Sequence, residues 1–274
     1  MPHFTTSDGL RLAYEDTGTG TPVLCLSGLT RNMRDFDFLA PFRSGYRMIA
    51  MDYRGRGQSD HDPNHANYAV PREALDAVEL LDHLGVERCH VIGTSRGGLI
   101  AMVLAATVPH RLAGVVLNDV GPVVDPGGIA RIMEYVGKPP AAPDLDAAAV
   151  QLEASMRAEF PGVTLARWRR MVGNFYEETG DGLALRYDPA LRQSLLDQAA
   201  AGPVPDLWPL FDALKDVPTG VVRGANSDVL TAETLAEMAR RREGLVLGVV
   251  PDRGHAPFLD EPEALTVIRA VLES

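Results

Sequence analysis

Cysteine is scarce in this sequence. The 274 residues hold two, Cys25 and Cys89. Both lie in apolar runs, Val23-Leu24-Cys25-Leu26 and Cys89-His90-Val91-Ile92. Buried free thiols are therefore expected, and no disulfide framework is indicated. Long apolar runs are missing too: no stretch of about 18 apolar residues offers a membrane-spanning helix. Residues Met1 to Asp8 lack a basic segment followed by an apolar one, so no secretory leader is read and a cytoplasmic location is expected. Positive charge is in the minority, with 26 Lys and Arg against 37 Asp and Glu, a net charge of −11. Such a chain repels phosphate backbones and anionic lipid, so neither nucleic acid nor a membrane is an expected partner. Internal repeats and long low-complexity runs are also absent.

The rest is an ordinary globular composition, 46% hydrophobic and 23% charged. A chain this long buries roughly 70–75% of its unfolded surface, enough for a large core. Disordered and fibrous classes are excluded. A small-molecule substrate fits this balance, and a homo-oligomer stays open.

Apolar runs of strand length alternate with helical patterns. Strands are expected at Leu10–Tyr14, Pro22–Leu26, Tyr46–Met51, Arg88–Gly93, Ala113–Leu117, Thr219–Arg223 and Leu245–Val250. Helices are expected at Pro71–Leu84, Gly97–Val108, Ala232–Arg242 and Glu261–Leu272. Continuous rather than alternating apolar strands suit a parallel sheet buried on both faces. The fold class is therefore α/β, a mostly parallel central sheet with helices on both sides. From Pro122 to Pro209 the rhythm breaks. No buried strand is evident there, and helices are expected at Asp146–Phe160, Thr164–Thr179 and Pro189–Ala200. This reads as a helical insertion, residues 122–209, in a core made of residues 1–121 and 210–274.

The sharpest chemical signal is Gly93-Thr94-Ser95-Arg96-Gly97, which fits G-x-S-x-G between an apolar strand and an apolar helix. A tight strand-to-helix turn lifts the central hydroxyl clear of the sheet, and small flanking residues let the turn close. The helix behind aims free N–H groups and its positive end at the same point. A serine hydroxyl needs a base. Of seven histidines, His255 in Asp252-Arg253-Gly254-His255 follows the last strand at the end of the sheet that carries Ser95. His61 and His65 share a polar loop that reads as solvated; no metal site is expected. Two acids compete to orient His255. Asp228, after strand Thr219–Arg223, is expected to do so from the chain order Ser…Asp…His. Asp119, after strand Ala113–Leu117, is the rival. Gly55-x-Gly57 lacks the rest of a phosphate loop and reads as a shaped turn.

These pieces resemble the α/β-hydrolase superfamily, in its single-chain form with a helical cap. The matching segments are Leu26-Ser27-Gly28-Leu29, Asp52 to Asp60, the Ser95 turn, Arg223-Gly224 to Asp228, and Gly254-His255. The resemblance implies an oxyanion hole made by the backbone N–H groups of Leu29 and Arg96. It implies a serine hydrolase of carboxylic esters or lactones, with no metal or organic cofactor. Relatives that cleave carbon–carbon bonds of vinylogous diketones, cofactor-free perhydrolases or haloperoxidases, and hydrolase-like small-molecule receptors look similar. Dehalogenase and epoxide-hydrolase relatives carry an Asp nucleophile where this chain has Ser95. Many relatives have His-Gly where this chain has Ser27-Gly28. The Arg96 side chain is expected to pair with a carboxylate such as Asp52 or Asp119. Trp168, Met171, Phe175, Tyr176 and Trp208 are the expected pocket residues.

Overall fold

The computed structural model describes residues 1–202 and 205–274. Residues 203 and 204, part of the expected 122–209 insertion, lie outside the described residues. The chain begins with β1 (His3–Thr5), β2 (Arg11–Thr17), β3 (Thr21–Leu26), a 3-10 segment (Met33–Ser44) and β4 (Tyr46–Met51). Then come α1 (Val70–His83), β5 (Cys89–Thr94), α2 (Arg96–Thr107) and β6 (Leu112–Asn118). The insertion holds α3 (Pro126–Tyr135), α4 (Leu145–Met156), α5 (Leu165–Phe175), β7 (Tyr176–Thr179), β8 (Gly182–Leu185) and α6 (Leu191–Ala200). The chain ends with α7 (Trp208–Asp212), β9 (Thr219–Gly224), α8 (Ala232–Arg241), β10 (Val246–Val250) and α9 (Pro262–Leu272).

Among the described residues the main sheet has eight strands, ordered β1-β2-β4-β3-β5-β6-β9-β10. The β1–β2 and β2–β4 pairs are antiparallel and the others parallel. The central strands are buried on both faces because helices cover both, and their unbroken apolar runs follow from that. On one face α1, α2 and α8 pack Ala77, Leu80, Leu81, Ile100, Leu104, Leu235 and Met238 against the sheet. On the other, α9 and the 3-10 segment bring Val267, Ile268, Val271, Phe36 and Leu39.

Within the insertion α4 ends at Met156, short of the expected Phe160, and two further differences from expectation stand out. Helix α5 stops at Phe175 instead of Thr179, and β7 and β8 form an antiparallel hairpin with Thr179 opposite Gly182. The two residues between them, Gly180 and Asp181, suit a tight hairpin turn, which ends helical continuation. The carbonyls of Gly173 and Asn174 in the last turn of α5 accept from Arg34 Nη1 (3.2 Å) and Asn32 Nδ2 (2.6 Å). Core side chains thus serve orphan carbonyls of that turn. Helix α3 was not expected from its Pro-Gly-Gly start, but Asp125 caps it by accepting from the Gly127 N–H at 2.8 Å.

The insertion lies against loops that leave the C-terminal ends of the parallel strands. Gly57 N–H donates to the Arg186 carbonyl at 2.7 Å, and Asp188 N–H to the Gly55 carbonyl at 2.8 Å. Asn226 Nδ2 donates to the Glu159 carbonyl at 3.0 Å. Arg167 Nη1 donates to Asp260 Oδ1 at 2.9 Å.

Candidate active site

Ser95 stands between β5 and α2 with φ 52° and ψ −115°. A non-glycine residue in that region is strained and persists only where neighbours hold it. They do so by close approach. A Cβ on Gly97 would lie 2.0 Å from the Leu26 carbonyl oxygen, and one on Gly93 would lie 2.5 Å from the Gly97 backbone. Ser95 N–H donates to the Asn118 carbonyl at 2.9 Å, which ties the turn to the end of β6.

His255 Nε2 is 2.9 Å from Ser95 Oγ, and His255 Nδ1 is 2.8 Å from Asp119 Oδ2. The expected acid, Asp228, is not the one at the histidine. It faces α3, 3.2 Å from Arg131 Nη2. The reason is lateral order. β6 lies between β5 and β9, so Asp119 leaves the sheet beside Ser95, one strand closer than the loop that carries Asp228. Asp119 is fully buried, with φ 57°. Its carboxylate also accepts from Gly224 N–H (2.9 Å) and Ser227 Oγ (2.6 Å), both in the β9 exit. With those oxygens engaged as acceptors, Nδ1 of His255 carries the proton and Nε2 faces the serine hydroxyl as acceptor. Gly224 lets the histidine loop cross the end of β9: a Cβ there would sit 2.4 Å from the Arg253 carbonyl oxygen.

The Leu29 and Arg96 backbones both lie close to Ser95. Leu29 follows Gly28, where an added Cβ would lie 4.0 Å from Ser95 Cβ. Arg96 is the first residue of α2. Among the described residues neither N–H has a protein acceptor. Sequence reasoning missed what holds them. Arg56 Nε donates to the Leu29 carbonyl at 3.0 Å, and Arg56 Nη1 lies 2.7 Å from Glu73 Oε1. Arg96 Nε donates to Glu73 Oε2, and its Nη2 to the Tyr68 carbonyl at 2.9 Å. One fully buried carboxylate in α1 therefore anchors both arginines. The expected partners of Arg96, Asp52 and Asp119, are occupied elsewhere. Asp52 accepts from Met33 N–H (2.7 Å) and Gln58 N–H (2.8 Å), and burial pushes its carboxyl up to about 6.

A strained serine at a strand–helix turn, backed by a histidine and a buried aspartate, is one part of a wider likeness. Residues 23–267 match the model of the "Alpha/beta hydrolase family". The chain belongs to the α/β-hydrolase family. It is 37% identical over 269 residues to the 3-hydroxybutyrate-oligomer hydrolase of Cupriavidus necator, covering 94% of this chain and 91% of that protein. An α/β hydrolase of known structure from Novosphingobium aromaticivorans is 42% identical, with a TM-score of 0.92, covering 99% of this chain and 97% of that one. A thermophilic esterase from Thermogutta terrifontis is 28% identical, with a TM-score of 0.74, covering 100% of this chain and 98% of that one.

The expected pocket residues of this hydrolase fall into three groups. Trp168 and Met171 are buried inside the insertion. Trp168 packs edge-on against Phe160 (5.5 Å) and Phe258 (6.2 Å), three residues beyond His255. Phe175 and Tyr176 stay half-buried at the end of α5, where the Arg31 guanidinium lies 3.6 Å from the Phe175 ring centre. Trp208 does not join them. It lies in α7, which packs on α2, with the Arg241 guanidinium 3.9 Å from its ring centre. Tyr135, not singled out from sequence, is about half open (49%). Burial nonetheless pushes its phenol up, with the Arg31 charge pulling the other way. His61 and His65 pair separately, His61 near Asp188 (3.6 Å) and His65 with Asp197 (2.8 Å). No helix among the described residues is long and apolar enough to cross a membrane.

Proposed function

We propose that this hydrolase cleaves carboxylic esters, including lactones, of small molecules through an acyl-enzyme on Ser95. The observation that carries the reading is the unbroken hydrogen-bonded line from Ser95 Oγ through His255 to Asp119, at 2.9 and 2.8 Å. His255 Nε2 takes the hydroxyl proton as Ser95 attacks the carbonyl carbon. Asp119 holds the imidazole tautomer and stabilises the imidazolium that forms. The Leu29 and Arg96 N–H groups receive the oxyanion, helped by the positive end of α2. His255 then returns the proton to the leaving alcohol. In the second half it activates water, and the acyl group departs as the acid. The insertion acts as a cap over the strand ends, keeping bulk water from the tetrahedral stage. The named activity of the Cupriavidus relative, hydrolysis of a hydroxyacid oligomer, is ester hydrolysis and supports this reading.

A serine-directed phosphonate is expected to label Ser95 stoichiometrically. Ser95→Ala is expected to abolish turnover of p-nitrophenyl esters, with the far-ultraviolet dichroism unchanged. A parallel panel of esters, lactones and a vinylogous diketone ranks the bond types. Labelling at another serine, or turnover surviving the substitution, would overturn the assignment.

A further inference from the structure

We propose that Arg31 anchors a carboxylate of the substrate, making this an esterase for esters that carry a free acid group. The inference rests on the ester-hydrolase reading above and deepens it.

Arg31 stands beside the chemistry. A Cβ on Gly28 would lie 3.0 Å from Arg31 Cγ and 4.0 Å from Ser95 Cβ, so both side chains converge on one glycine of the Leu29 turn. The arginine is held from one edge only. Its Nε donates to Asp35 Oδ2 at 2.6 Å, and its guanidinium carbon stands 3.6 Å from the Phe175 ring centre. Among the described residues neither terminal nitrogen donates to a protein acceptor, and a quarter of the side chain is open. Two parallel N–H donors left free on a positioned guanidinium match a carboxylate. The surroundings favour such a guest. The phenols of Tyr135 and Tyr176 both feel the Arg31 charge, and burial pushes both up, so they stay neutral donors near neutral pH. The nearby carboxylates are already matched: Asp35 with Arg31 itself and with Asn174 Nδ2 (3.4 Å), and Asp228 with Arg131 (3.2 Å). A linear ester of a hydroxyacid, with its acid end free, presents both required groups, a scissile carbonyl and a carboxylate.

The test compares the dimer of 3-hydroxybutyric acid as its free acid with the same dimer as its terminal primary amide. The wild type is expected to prefer the acid. Arg31→Met keeps an apolar stem against Phe175 and removes the charge. It is expected to lower kcat/KM for the acid by about 10- to 100-fold, mostly through KM, the range for losing a charge-assisted hydrogen bond. The amide should change by less than about 3-fold in the same variant. An equal fall for both dimers, or no acid preference in the wild type, would overturn the anchor. Phosphonate labelling of Ser95, run on both proteins, separates the two readings. If Ser95 labels and Arg31→Met is indifferent to the carboxylate, only the anchor fails. If the wild type neither labels nor cleaves either dimer, the ester-hydrolase reading fails.

Discussion

At the scale of single residues, Asp119 and Asp228 show what one carboxylate needs in order to act on a histidine. Asp119 is fully buried and held by Gly224 N–H and Ser227 Oγ, so its free direction is toward His255. Asp228 has its oxygen 3.2 Å from Arg131, which itself bonds Glu159 at 2.6 Å. Asp119→Asn is expected to reduce kcat by about 10⁴-fold, because an amide NH₂ facing Nδ1 selects the wrong tautomer. Asp228→Asn should stay within a few-fold of the wild type, the scale of a partly exposed ion pair. Steady-state kinetics on one p-nitrophenyl ester decide between them; a large loss for Asp228→Asn with a small one for Asp119→Asn would reverse the roles. Ser95 and His255 were legible because each sits in a local motif beside a strand. The choice of acid was not, because it depends on which strand ends stand side by side. Chain order places β9 and β6 alike after Ser95; only the lateral order β5-β6-β9 shows that Asp119 leaves the sheet nearer to it.

At the scale of elements, the strands and core helices were readable for a physical reason. A strand buried on both faces has to be apolar throughout, and β4 at Tyr46–Met51 carries that mark from end to end except for Arg47. The hairpin β7–β8 bears no such mark, since Glu177, Glu178 and Thr179 are exposed. Its signal was the short Gly180-Asp181 turn, overlooked beside a strong helical period. The strand–helix turn at Ser95 supports a prediction of its own. Gly97→Ala places a Cβ within 2.0 Å of the Leu26 carbonyl oxygen, a backbone atom that cannot rotate away. A loss of about 1–3 kcal/mol in urea unfolding is expected, as for overpacking, together with impaired turnover because α2 must shift beneath Ser95. Gly173→Ala in α5 is the contrast. No atom lies within 4 Å of its added Cβ, so a gain of about 0.5–1 kcal/mol is expected from helix propensity alone. If both variants lose stability alike, steric closure of the turn is not what the Gly97 substitution reports.

At the scale of the whole molecule, the question is how firmly the insertion is seated. Arg167 of α5 is the fastening most open to test. Its guanidinium bonds Asp260 and stands 4.7 Å from the Phe38 ring centre and 4.5 Å from that of Phe258. It thus joins the insertion to the loop after His255 and to the 3-10 segment at once. The residues concerned are partly open to solvent, so the ion pair alone contributes little, and the stacking on two rings supplies most of the stabilisation. Arg167→Ala is expected to free the insertion by about 1–2 kcal/mol, which is roughly a 5- to 30-fold loss of amide protection. Hydrogen exchange read by mass spectrometry should place that loss in α4, α5 and the hairpin. Protection in β5 and α2, which build the Ser95 turn, should hold. That pattern would mean that the cap opens as a unit over a sheet that stays closed, which is how a cover admits substrate without disturbing the serine. If β5 and α2 lose protection in step with α5, the insertion and the sheet unfold together, and access to Ser95 has to come from the strand-end loops.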